Sequence, residues 1–246
     1  MIAWPSKIPT LSRGDVRLRP TNSEDKEKIF RGCQDPYIPT VTRIPANYTM
    51  AHAAEFLQRD INGLRDKTEL RFAIDFAGKI KGKSAQEVTP SSTPLSDADV
   101  GSDVYRDISG YINSDGTYFV GLISLHSIDA ANHHAEIGYW VAEPLRGFGI
   151  TSIAARLITD WGLSTLGFRR IDGLANVENI ASHKVMLNAG YEYEGTMKDL
   201  VTRGDKQIDM GILPTGNQRK NFREIGASNH AYHNYESSEL SFKKSC

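Results

Sequence analysis

Hydrophobic and polar residues alternate over several short stretches of the chain, and this period of two predicts β-strands. The first stretch begins at Val16 and stops at Pro20. In a later one, Ala135, Ile137, Tyr139 and Val141 share one face, and Glu136, Gly138 and Trp140 share the other. The predicted strands cover residues 16–19, 70–76, 118–125, 134–142, 170–177, 191–195 and 207–213.

Apolar residues spaced by three and four positions predict helices between these strands. The clearest helix covers residues 150–161, and a second covers 51–64. Thr21 or Asn22 is expected to cap another helix that runs to about Gly32. A short helix over 179–189 starts at Asn179 and is ended by Gly190. The alternation of strands and helices indicates an α/β chain with a mixed sheet.

Two stretches depart from these patterns. Residues 77–116 are rich in Gly, Ser, Thr, Pro and Asp, and this composition predicts a mobile surface insertion. The polar residues 216–246 are expected to form a loose tail. We therefore expect one domain over residues 1–215, with the insertion inside it.

Composition narrows the class of protein. The 246 residues contain 29 Lys and Arg against 30 Asp and Glu, a balance that argues against non-specific nucleic-acid binding. Cys33 and Cys246 are too few for a disulfide scaffold or a Cys-rich zinc site. The chain has no apolar run near the roughly 20 residues of a membrane span. We expect a cytoplasmic globular protein with no nucleic-acid or membrane partner, and a homodimer stays open.

A glycine-rich turn follows the strand at 134–142. Gly147 and Gly149 would let backbone N–H groups approach a ligand, and the N-terminus of the next helix favours a phosphate. A tight turn without a ligand explains the same residues. A dinucleotide fingerprint is excluded because Ser152 stands where the third glycine is needed, and a P-loop is excluded because Ala77 stands where its first glycine belongs.

Several motifs taken together resemble the GNAT acyl-CoA N-acetyltransferases, and more narrowly the branch of ribosomal-protein N-terminal acetyltransferases. They are 132–142 (NHHAEIGYWVA), 146–149 (RGFG), 160–161 (DW) and 176–182 (NVENIAS). The resemblance covers about residues 12–213 without the insertion. It implies the GNAT fold, which is a mostly antiparallel sheet of six or seven strands flanked by helices, and acetyl-CoA as co-substrate.

The resemblance also assigns cofactor contacts. The turn would bind the pyrophosphate through Arg146, Gly147, Phe148, Gly149, Ile150 and Thr151, and the preceding strand would separate from its neighbour to pair with pantetheine. Thr151 departs from the family, which has Gly or Ala there. The N–H of Val141 would polarise the thioester carbonyl, and Asn179 would contact the cofactor. Helix capping is a compatible role for Asn179.

Catalytic roles follow from the same resemblance. Glu136 would deprotonate the amine, directly or through water, although a solvated or ion-paired carboxylate explains it too. Met186 replaces the tyrosine that many relatives use as the acid. Ser182 would donate to the leaving sulfur instead, or is an ordinary residue of the first helical turn.

Other polar residues give weaker signals. His133 and His134 precede Glu136 without the spacing of a metal site, so no metal is expected. The predicted reaction is acetyl transfer to a primary amine, either a protein N-terminus or a small molecule. A non-catalytic acyl-CoA-binding module is the alternative. The candidates for contact with the acceptor are His126, Asp35, Tyr37, Arg203 and Asp205, and a surface position at a strand end explains His126 equally well.

Overall fold

The computed structural model describes residues 1–91 and 93–216. They form an eight-stranded sheet in the order β1-β2-β3-β4-β5-β6-β8-β7. Neighbouring strands are antiparallel except β5 and β6, which are parallel. The strands are β1 Leu11–Arg13, β2 Val16–Arg19, β3 Leu70–Phe76, β4 Tyr118–Asp129, β5 His134–Val141, β6 Arg170–Asn176, β7 Gly195–Arg203 and β8 Lys206–Gly216.

Helices cover both faces of this sheet. The α-helices are α1 Asp25–Gly32, α2 Ile38–Val41, α3 Met50–Asp66, α4 Ile150–Trp161 and α5 Ile180–Ala189. A π-helical turn, Gly162–Leu166, continues α4. Short 3-10 helices lie at Ala85–Glu87, Asp97–Asp99, Asp103–Arg106, Ile108–Tyr111 and Glu143–Leu145.

Successive side chains of β3 show which helices share a face. Phe72 packs edge-on against Trp161 of α4, with ring centroids 5.4 Å apart. The Arg71 guanidinium lies 3.9 Å from the centre of the Phe56 ring in α3. Because neighbouring side chains of a strand point to opposite faces, α3 and α4 lie on opposite sides of the sheet.

Most predicted strands and helices are confirmed, and the prediction over 191–195 is wrong. These residues run beside β8, where the amide of Glu194 donates to the Ile212 carbonyl, but the strand itself begins at Gly195. The first helix begins at Asp25, later than an Asn22 cap requires, because the Asn22 side chain accepts from the Glu24 amide in the preceding turn.

Two edge strands carry a common signal that the sequence analysis missed. β1 joins β2 through Gly14-Asp15, and β7 joins β8 through Gly204-Asp205. Both glycines have φ +56°, the left-handed conformation that two-residue hairpin turns require. These Gly-Asp hairpins extend the sheet to eight strands and form its two ends.

The insertion at 77–116 contributes side chains to the interior. Tyr111 is fully buried, and its hydroxyl donates to the Tyr105 carbonyl at 3.0 Å. The Arg31 guanidinium of α1 donates to the Val104 carbonyl at 2.8 Å, which fixes this segment over α1. Its mobility stays a prediction, and the predicted tail beyond Gly216 lies outside the described residues.

Candidate active site

A gap opens in the sheet where β5 and β6 separate. Their ladder of four residue pairs ends at Ile137 and Gly173, although both strands continue. On the other side of β5, the amide of Ala142 donates to the Val120 carbonyl at 2.9 Å. Since amides alternate in direction along a strand, the N–H of Val141 points away from β4 and into the gap.

The glycine-rich turn lies at the mouth of this gap. Gly147 and Gly149 have φ +86° and +75°, so both positions favour glycine on conformational grounds. A Cβ built on either residue meets no atom within 4 Å, so the surrounding space is open. Gly149 is the N-cap of α4, whose first amides have no partner within the helix. The turn therefore presents N–H groups and the positive end of a helix to open space.

The side chains of this turn divide between solvent and protein. Phe148 is 42% exposed between the two glycines. Thr151 is partly exposed in the first turn of α4, whereas Ile150 is buried in the core. An anion at this turn would thus contact the backbone of these residues.

Arg146 is held by protein groups in this structure. Its Nε donates to the Val141 carbonyl at 3.0 Å, and its Nη2 forms an ion pair with Asp35. The guanidinium also lies 5.4 Å from the centre of the Tyr37 ring. The structure therefore places Arg146 between the gap and the end of α1, where it joins two of the residues proposed for the acceptor.

Glu136 lies in the paired part of β5, opposite His126 on β4 and Asp172 on β6. Its half-buried carboxylate forms no hydrogen bond or ion pair with any residue in the ranges 1–91 and 93–216. Neighbouring polar side chains have partners: His134 contacts Asp172 at 2.9 Å, and Arg170 donates to the same carboxylate at 2.6 Å. An ion-paired role for Glu136 thus has no partner in the described chain.

His126 lies beside Glu136 on the same face of the sheet. A Cβ at Gly138 would lie 2.7 Å from His126 Nε2, so the imidazole covers this glycine. Burial lowers the pKa of His126, and the negative charge of Glu136 partly offsets this effect. A neutral imidazole therefore borders the carboxylate near pH 7.

The start of α5 brings Asn179 and Ser182 together on the other face. The Asn179 side chain accepts from the Ser182 amide at 3.0 Å, so Asn179 is the helix N-cap. The Ser182 hydroxyl lies 2.8 Å from the hydroxyl of Tyr139, a residue for which no functional role was predicted from the sequence. Met186 packs on Gly173, where a Cβ added to the glycine would lie only 1.9 Å from the Met186 sulfur.

The period of two along β5 was the signal for Tyr139. That pattern places Tyr139 on the face opposite Glu136, together with Val141. The sequence did not show that α5 begins below this face, because β6 and the turn before α5 determine the position of Ser182. The site thus has Glu136 on one side of the sheet and Ser182 with Tyr139 on the other.

The described residues hold neither a metal-binding cluster nor a membrane-spanning helix. Across residues 1–91 and 93–216, no group of three or more His, Cys, Asp or Glu side chains is placed to hold a metal ion. In the same ranges, none of the helices combines the length and the apolar composition of a membrane span.

Sequence comparison connects the fold with known proteins. Residues 15–192 match the family model described as an acetyltransferase (GNAT) domain. The Bacillus subtilis protein YdaF is 36% identical over 98 residues, which are 39% of this chain and 53% of YdaF. The ribosomal-protein-serine acetyltransferase of Escherichia coli is 32% identical over 93 residues, which are 38% of this chain and 52% of that protein. The chain thus aligns with about half the length of these curated relatives.

Solved structures share the fold at low sequence identity. RimJ of Mycobacterium smegmatis, solved with CoA-disulfide, has a TM-score of 0.63 and 19% identity, and the match covers 92% of each chain. The microcin C7 self-immunity acetyltransferase MccE, solved with acetyl-CoA and AMP, has a TM-score of 0.62 and 18% identity. That match covers 83% of this chain and 94% of MccE. With the family model matching most of the described residues, the chain belongs to the GNAT acetyltransferase family.

Proposed function

We propose that the chain transfers an acetyl group from acetyl-CoA to a primary amine by direct attack within a ternary complex. One observation carries the proposal: the N–H of Val141 points into the gap where β5 and β6 separate. A thioester carbonyl in this gap would receive a hydrogen bond that strengthens as negative charge develops on its oxygen.

The cofactor would lie along the open edge of β5. Its pyrophosphate would accept hydrogen bonds from the amides of residues 147–151 at the start of α4, where the helix dipole favours an anion. The unpaired backbone of β5 beyond Ile137 would bond to the amides of the pantetheine arm. This arrangement requires no metal ion.

Glu136 would act as the base. Its carboxylate has no partner in the described chain and faces the side of the sheet that α1 and α3 cover, while the thioester would lie in the adjoining gap. It would take a proton from the attacking amine, directly or through water. The bound geometry would itself supply several kcal/mol of acceleration, because both reactants are held together.

We infer that the preferred acceptor is the α-amine of a protein N-terminus. An α-amine has an ordinary pKa near 8, so an appreciable fraction is neutral at pH 7, whereas a lysine amine with a pKa of about 10.4 is almost wholly charged. The relative from Escherichia coli is named a ribosomal-protein-serine acetyltransferase, which supports a protein acceptor. Asp35 and Tyr37 would border this acceptor at the end of α1, and Arg203 reaches the same side through the Pro39 carbonyl.

A thiol-release assay tests this function. The purified chain would be mixed with acetyl-CoA and matched peptides, one with a free N-terminus and one with a blocked N-terminus and a lysine, and with polyamines in parallel. We expect CoA release with the free N-terminus and at least tenfold less with the others. Thr151 and Met186 depart from the family pattern and favour the alternative, a non-catalytic acyl-CoA-binding module. Tight CoA binding without turnover on any amine would establish that alternative.

A further inference from the structure

Tyr139 joins β5 to α5 beside the gap. It lies beyond Ile137, the last β5 residue paired with β6, and two positions before Val141. Its hydroxyl lies 2.8 Å from Ser182 Oγ and 3.1 Å from the Ser182 carbonyl oxygen. This one phenol therefore contacts both the side chain and the backbone of the residue expected to face the leaving sulfur.

The hydrogen bonds of this pair admit two arrangements. Tyr139 has one phenolic proton, and the Ser182 amide is already bonded to Asn179. If Tyr139 donates to the Ser182 carbonyl, the Ser182 hydroxyl donates back to Tyr139. If Tyr139 donates to Ser182 Oγ instead, the proton of Ser182 is free to point to another acceptor. A rotation of one hydroxyl therefore determines where Ser182 donates.

We propose that Tyr139 is a positioning residue for acetyl transfer, whose hydroxyl donates to Ser182 Oγ and so directs the Ser182 proton at the sulfur of the departing CoA. This inference rests on the proposed function. In the step, the amine nitrogen forms a bond to the acetyl carbon and its proton passes to Glu136. The C–S bond breaks with its electron pair going to sulfur. The thiolate leaves hydrogen-bonded to Ser182 and is protonated by water.

Neither hydroxyl loses its proton in this scheme. Burial raises the pKa of Tyr139 far above its ordinary value, so the phenol keeps its proton and can donate it in a hydrogen bond to Ser182 Oγ. Met186, at the position of the family tyrosine, brings a thioether that cannot donate. The Ser182 hydroxyl, oriented by Tyr139, supplies a hydrogen-bond donor from the first turn of α5, one turn before Met186.

A second buried tyrosine provides a matched control. Tyr191 is 1% exposed, and its hydroxyl lies 2.7 Å from the Thr159 hydroxyl in the core. Tyr191→Phe and Tyr139→Phe each remove one hydroxyl-to-hydroxyl bond and leave a ring of the same shape. Only Tyr139 touches a residue of the proposed site, so the pair separates loss of stability from loss of catalysis.

The experiment compares kcat and KM for acetyl-CoA in Tyr139→Phe, Ser182→Ala, the double variant and Tyr191→Phe, with thermal unfolding measured for each. We expect Tyr139→Phe to lower kcat about five- to tenfold, the range of one neutral hydrogen bond, with KM changed less than about twofold. Ser182→Ala is expected to lose at least as much. The double variant should match Ser182→Ala alone, because the two residues act as one unit.

The outcomes are distinguishable. Multiplied losses in the double variant, or an equal fall in kcat for Tyr191→Phe, would overturn the inference and leave the proposed function intact. If Tyr139→Phe does not fold, an unchanged kcat in Ser182→Ala would overturn it in the same way. If the wild-type chain releases no thiol with any amine, the proposed function fails and this inference fails with it.

Discussion

Arg146 and Asp35 form an ion pair across 111 positions of sequence, and this pair links the glycine-rich turn to the end of α1. The Asp35 side chain is only 5% exposed and also accepts from the Tyr37 amide at 2.9 Å. The guanidinium in turn donates to the Val141 carbonyl at the mouth of the gap. Arg146 thus connects the cofactor side of the proposed site with the acceptor side.

This pair predicts a stability effect. Arg146→Gln would leave the buried Asp35 carboxylate without its cation, so we expect about 1–2 kcal/mol lower free energy of unfolding by urea denaturation, a value that allows for the partial exposure of Arg146. Adding Asp35→Asn removes the unpaired charge and should restore part of this loss. A double variant as unstable as the sum of the singles would show that the pair is not energetically coupled.

Glu136→Gln tests the base. Without a base, the rate should follow the fraction of neutral amine, which falls tenfold for each pH unit below the amine pKa. We therefore expect a loss of about 100-fold at pH 7 and a larger loss at pH 6, measured as a pH–rate profile with an N-terminal peptide. Glu194→Gln, which alters a carboxylate bonded to Arg170, is the control and should keep the wild-type profile. A Glu136→Gln profile parallel to the wild type would exclude the base role.

Gly149→Ala separates backbone strain from cofactor contact. Gly149 at φ +75° and Gly204 at φ +56° both have open space around a built Cβ, so alanine at either position costs about 1 kcal/mol of left-handed strain. We expect similar drops in unfolding free energy for the two variants. Only Gly149→Ala should raise KM for acetyl-CoA, because its Cβ stands where the phosphate approaches. Equal KM values in both variants would exclude that placement.

His183 predicts a pH dependence of stability. Burial lowers its pKa, so the folded chain favours the neutral ring. A group whose folded pKa is depressed in this way binds more protons when unfolded, and stability therefore decreases as the pH falls through the unfolded value of about 6.5. We expect urea denaturation to show lower stability at pH 5.5 than at pH 7.5. His183→Gln should flatten this difference, whatever its effect at pH 7.5, and an unchanged slope would contradict the assignment.

The sequence predicted the parts of the fold that repeat a strong pattern. The apolar spacing of 150–161 and the alternation of 70–76 each coincide with an observed element. The strand β1 was missed because three residues are too few to show a period of two. The strand β7 was misplaced because its exposed face is mixed in polarity. Gly14-Asp15 and Gly204-Asp205 were the available signals for both.

The proposed site was only partly visible in the sequence. Local spacing predicted the glycine-rich turn, whereas the proposed role of Glu136 came from the resemblance to the GNAT family. The contacts of Arg146 with Asp35 and of Tyr139 with Ser182 join residues 111 and 43 positions apart. Such contacts depend on how helices pack against the sheet, so no local pattern could show them.

The parallel pairing of β5 and β6 has an electrostatic consequence. These two strands run in the same direction, and α4 and α5 follow them in the chain. Both helices therefore begin at the same edge of the sheet, the one formed by the carboxyl ends of β5 and β6. Each helix start carries about half a positive charge from backbone dipoles, which bind no titrating proton. The part of this edge's attraction for an anion that comes from the helix dipoles is therefore constant across the pH range in which side chains gain or lose charge.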